Sequence, residues 1–542
     1  MIKALTKFIV QSELSLSFGK SYGFVRFVQT CSVFPSYKGV PKKIIKKEVS
    51  KLYREYKQAL ISTLSQLRCR VSISCHYWTT EFGLGFVCVT AYFVDDDWVA
   101  QKRILSFVEC MPRYSTSLDI FLLISKTLRD YGLQSKVLSI SFDDACYDAA
   151  AIDMLKSEFQ PVLDGKFFGV RCPCHYFNLF IDGCLKTLLP IVEKIGDGVS
   201  HIQFHGNAPG FSKLCVEKGK VYKKRFAPAI TDNWSSVYSM LQSVAGFEDV
   251  ISIYCNQSSS EISVTETDWE AGKLVRDFLE TLHTATCCSD TSENSLLFHL
   301  LNMRCFFNKY RNGPGFADII APMESKFKDY LQHIDALYWI HLVIDPNIRL
   351  CGVEYLFNEI MPVNDGTSLL EEVKNLVYSM FSIYIKGEDC RVRALLAEKA
   401  NSSKQGGTAK ILAMLRKKRP QDYDQSLVPT ELDLFLRTDF ACPPNDEDVL
   451  SWWKSTRVGL VVVAAMARDL LAASKSMLTS KVCFGAKNKV LNETRSRTND
   501  RYVKMCVCLK DWLDAELGVQ EQGEEDDFDL EFDEEELKDL LS

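Results

Sequence analysis

Between Pro41 and Leu67, the apolar residues Ile44, Ile45, Val49, Leu52 and Tyr53 recur near helical spacing among Lys42, Lys43, Lys46, Lys47, Lys51, Arg54 and Lys57. A helix with that pattern packs one face and keeps the other cationic. From Arg70 the period shortens. Runs rich in β-branched and aromatic residues, Val71 to Ser74, Leu84 to Phe93 and Ile104 to Glu109, are separated by polar or turn residues and predict an antiparallel meander. A helical pattern from Leu118 to Tyr131 comes next, then a strand Lys136 to Phe142, a helix Ala145 to Phe159 and a strand Phe167 to Arg171.

Three strands followed by alternating helix and strand predict an α/β sheet of ribonuclease-H-like order over residues 69–178, preceded by a basic helical region over 1–68. Between 179 and 430 the β signal fades and amphipathic helical patterns dominate, which predicts a large all-α insertion into that fold. Its weakest stretches are Asn256 to Glu261 and Ala400 to Thr408, both expected as loops. Helical character strengthens again over 431–515, which carries Trp452, Trp453 and the apolar run Val458 to Ala467. The last segment, 516–542, is acidic low-complexity sequence with too little apolar surface to offset its ordering entropy, so it is expected to be disordered.

Composition sharpens this picture. A chain of 542 residues, 47% apolar and 11% aromatic, has material for more than one buried core. The longest apolar run falls far short of the roughly 20 residues a membrane-spanning helix needs, so no membrane partner is expected. The N-terminus lacks a sustained apolar core followed by a cleavage site, and the 20 cysteines are scattered without disulfide-scaffold spacing. Both features fit reduced thiols in the cytosol or nucleus. The formal net charge of −6 hides an asymmetry: from Glu521 onward there are 12 acids against Lys538 alone, leaving the rest of the chain about +5. A cationic face built from Lys42, Lys43, Lys46, Lys47, Lys51 and Arg54 would attract a phosphate backbone. A merely solvated lysine-rich helix remains the alternative.

Four stretches carry the chemistry: Val71-Ser-Ile-Ser-Cys-His-Tyr-Trp-Thr-Thr80, Ser139-Ile-Ser-Phe-Asp-Asp-Ala145, Arg171-Cys-Pro-Cys-His-Tyr-Phe-Asn-Leu179, and the block from Glu431-Leu-Asp-Leu-Phe-Leu436 through Trp452-Trp453 to Arg468 and Phe484. In this order and spacing they resemble the plant hAT-superfamily transposases of the Daysleeper and Ricesleeper group, over roughly residues 5 to 515. The resemblance implies a nuclear protein that binds DNA, pairs with itself or with related transposase-like chains, and holds two divalent ions between two Asp residues on the sheet and a Glu on a late helix. Two hard cations about 3.5–4 Å apart need clustered carboxylate oxygens to stabilise attacking and leaving groups.

Position by position, this chain departs from that set. The first family Asp falls on His76, two residues before Trp78; the second is kept as Asp143, with Asp144 beside it; the third, a Glu a few residues before a Phe, falls on Lys481, ahead of Phe484. An imidazole is a poor ligand for magnesium, and an ammonium replaces attraction by repulsion. The expectation is a catalytically degraded relic without resident cofactor, magnesium or manganese being required only if the chain is an active transposase using substitute ligands. The stand-ins to weigh are Asp95, Asp96, Asp97, Asp148 and Glu493. Cys172 and His175 match the family's Cys-x-x-His element; zinc there would need two further ligands, so the default is a supporting role beside the site. Cys31 is the only cysteine before Cys69, so no BED-type zinc finger is expected within this stretch. In the C-terminal block, Trp452, Trp453, Leu460, Met466 and Phe484 match the hAT dimerisation region and admit two placements, a subunit interface or an intramolecular core.

Overall fold

The computed structural model describes residues 1–31, 35–79, 85–110, 116–143, 145–171, 173–204, 208–222, 226–227, 234–258, 262–288, 295–311, 317–332, 334–361, 363–385, 430–437, 448–477 and 500–520. The basic N-terminal stretch forms α1 (Ile2–Gln11), α2 (Tyr22–Cys31) and the long α3 (Lys42–Gln66). Helix α3 turns Ile45, Val49, Leu52, Tyr53, Leu60 and Leu64 inward. Of the apolar positions the periodicity picked out, only Ile44 stays outside, because it shares the arc of Lys43 and Lys47.

The meander then appears as β1 (Val71–Thr79), β2 (Gly85–Val94) and β3 (Ala100–Glu109). Helix α4 (Ser117–Asp130) starts in a capping box between Thr116 and Asp119 and leads to β4 (Val137–Phe142). Helix α5 (Ala149–Phe159) is capped by Asp148 and precedes β5 (Gly169–Arg171). The strands lie in the order β3-β2-β1-β4-β5, with β1, β2 and β3 antiparallel and β4 and β5 parallel to β1. This mixed five-stranded sheet has the ribonuclease-H-like order read from the pattern.

Beyond β5 the described residues continue in helices: α6 (Pro173–Phe204), α7 (Ala208–Glu217), α8 (Trp234–Ser243), α9 (Glu248–Ser258), α10 (Glu266–Cys288), α11 (Ser295–Tyr310), α12 (Ala317–Gln332), α13 (Ala336–Ile344), α14 (Arg349–Ile360) and α15 (Val363–Ile385). The C-terminal block supplies α16 (Glu431–Leu436), α17 (Val449–Thr456), α18 (Val461–Met477) and α19 (Asp500–Leu517).

Two cores meet at the sheet. Ile73, Cys75, Ile140 and Phe142 point to a core shared with α1, α3, α4, α5 and α19. The alternate residues Ser72, Ser74, Ser139 and Ser141 are small and buried, and α18, with Ala464, Ala467, Ala472 and Ala473, lies across β1, β2 and β4. Small residues on both surfaces let helix and sheet backbones approach closely. The seam is sealed by polar contacts: Arg70 N donates to Asp469 Oδ1 at 2.7 Å, Tyr384 Oη to Asp469 Oδ2 at 2.5 Å, and Arg468 Nε to the Val94 carbonyl at 3.0 Å. The second core then runs through α6 to α18.

Strand β3 is the sheet's edge, and an uncovered edge invites pairing with other chains. Helix α19 and Gln520 just beyond it cover it with side chains. Asp511 Oδ2 accepts from Ile104 N at 2.7 Å, Trp512 Nε1 donates to the Ile104 carbonyl at 2.9 Å, and Gln520 Nε2 donates to the Lys102 carbonyl at 3.1 Å. A segment placed late in the chain thus finishes the first sheet.

Candidate functional site

The carboxyl ends of β1, β4 and β5 adjoin because those three strands run parallel, so His76, Asp143 and Arg171 converge at one end of the sheet. His76 sits on β1 opposite Cys88, and Asp143 comes directly after β4, whose Phe142 pairs with Cys75 on one side and Arg171 on the other. His76 Nδ1 stands 4.0 Å from Asp143 Oδ2.

Asp143 is committed to the backbone. Its Oδ2 accepts from Tyr77 N at 2.5 Å and its Oδ1 from Cys146 N at 2.9 Å, while Asp143 N donates to the Cys75 carbonyl at 3.2 Å. The side chain therefore ties the end of β1 to the turn after β4. A carboxylate has about four lone-pair positions, and two are taken up here by fixed donors.

His76 is buried, with neither ring nitrogen in hydrogen-bond reach of a protein partner. Burial holds its pKa below the ordinary value against the pull of Asp143, and Lys102 pushes the same way as burial. It is thus a neutral imidazole beside a carboxylate. Cys146 lies against Cys75, and that contact together with burial and Asp143 pushes the Cys146 thiol far up, so it stays protonated. Arg171, singled out by the sequence only as the start of a motif, stacks its guanidinium 4.0 Å from the Tyr147 ring centroid. It brings a fixed positive charge to a strand end next to the retained acid. Its position beside Phe142 becomes visible only once β5 is known to pair with β4.

Gly85 opens β2, paired with Thr79. A Cβ placed there would collide with the Tyr77 hydroxyl and ring, because that ring lies across the glycine. No other residue leaves room for it.

The described stand-in acids are committed to other partners. Asp95, Asp96 and Asp97 come after β2 at the opposite end of the sheet, about 20 Å from His76 at ~3.3 Å per residue, since Ser72 and not His76 pairs with Tyr92. Asp95 Oδ1 accepts from Asp97 N and Val99 N, and Asp96 binds Arg468 at 2.9 Å. Asp148 accepts from Ala151 N at 2.8 Å as the cap of α5 and from Ser117 Oγ at 2.9 Å. Among the described residues, no group of three or more His, Cys, Asp or Glu side chains stands ready to hold a metal. Asp144, Cys172, Lys481, Phe484 and Glu493 lie outside the described residues, and His175 falls in the first turn of α6.

The basic residues behave as the periodicity requires. Lys42, Lys43, Lys47, Lys51 and Arg54 are exposed on α3. Lys46 instead lies over the Tyr502 ring at 4.4 Å, and Lys51 approaches Glu55 at 3.9 Å. The aromatic pair of the C-terminal block is placed inside this single chain: Trp453 is fully buried, donates Nε1–H to the Ile344 carbonyl at 3.2 Å and packs on Phe435 at 5.1 Å. Trp452, Leu460 and Met466 are buried in the same core. Of the two placements open for these four residues, the geometry gives the intramolecular one, because α13, α16 and α17 already enclose them.

The sheet order, the convergent strand ends and the late helix laid over the sheet define a ribonuclease-H-like fold, and the family comparisons agree. Residues 74–167 match the ZBED1 RNase-like domain, 170–278 its RNase-like helical domain, 294–384 the hAT-like transposase RNase-H fold, and 431–513 the hAT family C-terminal dimerisation region. Four family models thus match successive parts of the chain to hAT-type transposases. It is 23% identical to "Zinc finger BED domain-containing protein RICESLEEPER 1" of Oryza sativa subsp. japonica, over 94% of this chain and 74% of the relative. It is 23% identical to "Putative AC transposase" of Zea mays over 95% of this chain and 65% of that protein. To the DAYSLEEPER protein of Arabidopsis thaliana it is 22% identical, over 94% and 73% respectively. The match at 294–384 falls on helices α11 to α15, within the stretch the sequence pattern assigns to the insertion.

Proposed function

We propose that this chain is a transposase-derived, DNA-binding and dimerising nuclear protein that has lost strand-cleaving chemistry. The observation that carries this reading is His76, a buried neutral imidazole 4.0 Å from an acid whose two oxygens already serve backbone donors. Two divalent ions need several free oxygens in a geometry held to about half an ångström. In the resemblance, the third family position falls on Lys481, where an ammonium would oppose cation binding.

Helices α6 to α15 are then an insertion between β5 and α18, the helix that returns to the sheet. DNA contact falls to the outer face of α3, where phosphate contacts position the duplex without reading sequence. Dimerisation uses surface residues of the C-terminal region, since its tryptophans are spent on the core. The name of the Oryza relative speaks of a BED zinc finger, and the nuclear assignment rests on that transposase-like kinship.

Calorimetric titration of magnesium or manganese tests the loss of the metal centre. The expected result is no binding to the wild-type chain and binding to the His76→Asp, Lys481→Glu double reversion. Metal binding by the wild type, or nicking of a terminal-repeat DNA by it, overturns the proposal. For DNA, affinity should fall steeply with salt, and replacing Lys42, Lys43, Lys46 and Lys47 by Ala should flatten the slope by about one unit per lost phosphate contact.

A further inference from the structure

Helix α2 has no buried residue, although its sequence is amphipathic. One side rests on its own neighbourhood: Phe24 meets Phe18 at 4.8 Å and Tyr37 at 6.3 Å, and Gln29 Nε2 donates to the Tyr37 carbonyl at 2.9 Å. Gly39, at φ +77°, lets the chain pass close to Gly19 and Val25, where a Cβ would meet the Gly19 carbonyl at 2.7 Å. The platform is therefore fixed to the segment that leads into α3.

The other side carries Tyr22, Arg26, Gly23 and Phe27, which at 100° per residue span an arc of about 140°. All four are exposed, Tyr22 at 81% and Phe27 at 62%. Nothing lies within 4 Å of the place a Cβ on Gly23 would occupy. Two flat rings thus flank a guanidinium, with bare backbone between them.

The segment that carries this arc is charged with one sign only. From Leu14 to Lys47 the sequence holds seven cationic residues, Lys20, Arg26, Lys38, Lys42, Lys43, Lys46 and Lys47, and no acid. Among the described residues, Lys20, Arg26, Lys38, Lys42, Lys43 and Lys47 make no salt bridge. An exposed aromatic pair could also fit an apolar protein surface, but a surrounding segment that carries seven cations and no acid selects a partner that is anionic and flat-faced at once.

We infer that α2 is a stacking platform for unpaired bases, Tyr22 and Phe27 taking the base faces while Arg26 and the cations running into α3 take the phosphates. The ligand class is single-stranded DNA, including the frayed or unpaired end of a duplex. Base–aromatic stacking tolerates any sequence and acts only on bases free of their partners. This rests on the DNA-binding role proposed above and adds to it a preference for unpaired strands.

The test is fluorescence polarisation of the full chain with a labelled oligo-dT single strand and with a mixed-sequence duplex of equal length, at one salt concentration. Wild type should favour the single strand. Tyr22→Ala, Phe27→Ala should weaken single-strand binding about tenfold or more and leave duplex binding within about twofold, whereas Tyr22→Phe should behave as wild type. Circular dichroism and the urea midpoint should not move, because both rings are exposed. Equal loss on both nucleic acids, or no loss on either, overturns the platform while leaving duplex binding intact as a separate fact. A change in sedimentation from dimer to monomer in the double variant also overturns it, by assigning the arc to a second copy. Failure of wild type to bind either nucleic acid removes the DNA-binding role itself, and that outcome is distinguishable from the others.

Discussion

Asp143 separates a structural carboxylate from a metal ligand, and Asp143→Asn tests which it is. The substitution keeps the shape of the side chain and removes its charge. In place of two acceptor oxygens facing Tyr77 N at 2.5 Å and Cys146 N at 2.9 Å, the amide offers one oxygen and one NH2. One backbone donor must then face another donor. Hydrogen bonds to charged groups contribute about 1.5–3 kcal/mol each, and leaving a buried donor unsatisfied costs a similar amount. The variant should therefore lose about 2–3 kcal/mol, read as a lower urea midpoint, with faster hydrogen exchange at Tyr77 N. The decisive arm is magnesium. An ion bound only by the native state raises stability by about 2.7 kcal/mol when present at 100 times its dissociation constant. The structure predicts the same midpoints in excess magnesium as in EDTA, for wild type and variant alike. A wild-type midpoint that rises with magnesium, together with an Asp143→Asn midpoint that fails to respond, would refute the structural assignment and revive the catalytic one.

The same geometry sets three further outcomes. His76 is held neutral by burial, so its folded pKa lies below its unfolded value; the stability it contributes is present above about pH 6.5 and declines as pH falls through that value toward the folded pKa, and His76→Gln should flatten this part of the urea-midpoint profile between roughly pH 7.5 and 5.5. Gly85→Ala should cost about 1–3 kcal/mol through collision with the Tyr77 ring, and the loss should shrink in combination with Tyr77→Ala, a non-additivity measurable by a double-mutant cycle in urea. Trp453→Ala should lower stability by about 3–5 kcal/mol and should do so at every protein concentration, because the indole fills the chain's own core; a midpoint loss seen only where wild type is dimeric would place Trp453 at the interface instead.

Much of the sheet was legible in the chain because strand alternation and helix periodicity are local. Val71 to Ser74 marked the start of β1 correctly, but the strand runs on to Thr79, where its pairing with β2 ends opposite Gly85. Cys75 and His76 lie beyond the run read as a strand, and only the parallel pairing of β1 with β4 shows that Asp143 reaches back to Tyr77 N. Arg171 carried no signal of its own, for its place beside the acid depends on β5 pairing with β4. The acids Asp95 to Asp97 looked near the site in sequence and are at the far end of the sheet, since an antiparallel hairpin returns its loop to the start of β1.

The sequence by itself determined the order of strands and helices and the split between packed and cationic faces of α3. Each comes from residue type and spacing, which act over one or two turns of chain. The tertiary structure decided which end of the sheet holds His76 with Asp143, that α19 closes the edge left open by β3, and that Trp452 and Trp453 turn inward. Those are contacts between residues tens to hundreds of positions apart. They are set by competition among whole surfaces for burial and for hydrogen-bond partners, which no local pattern records.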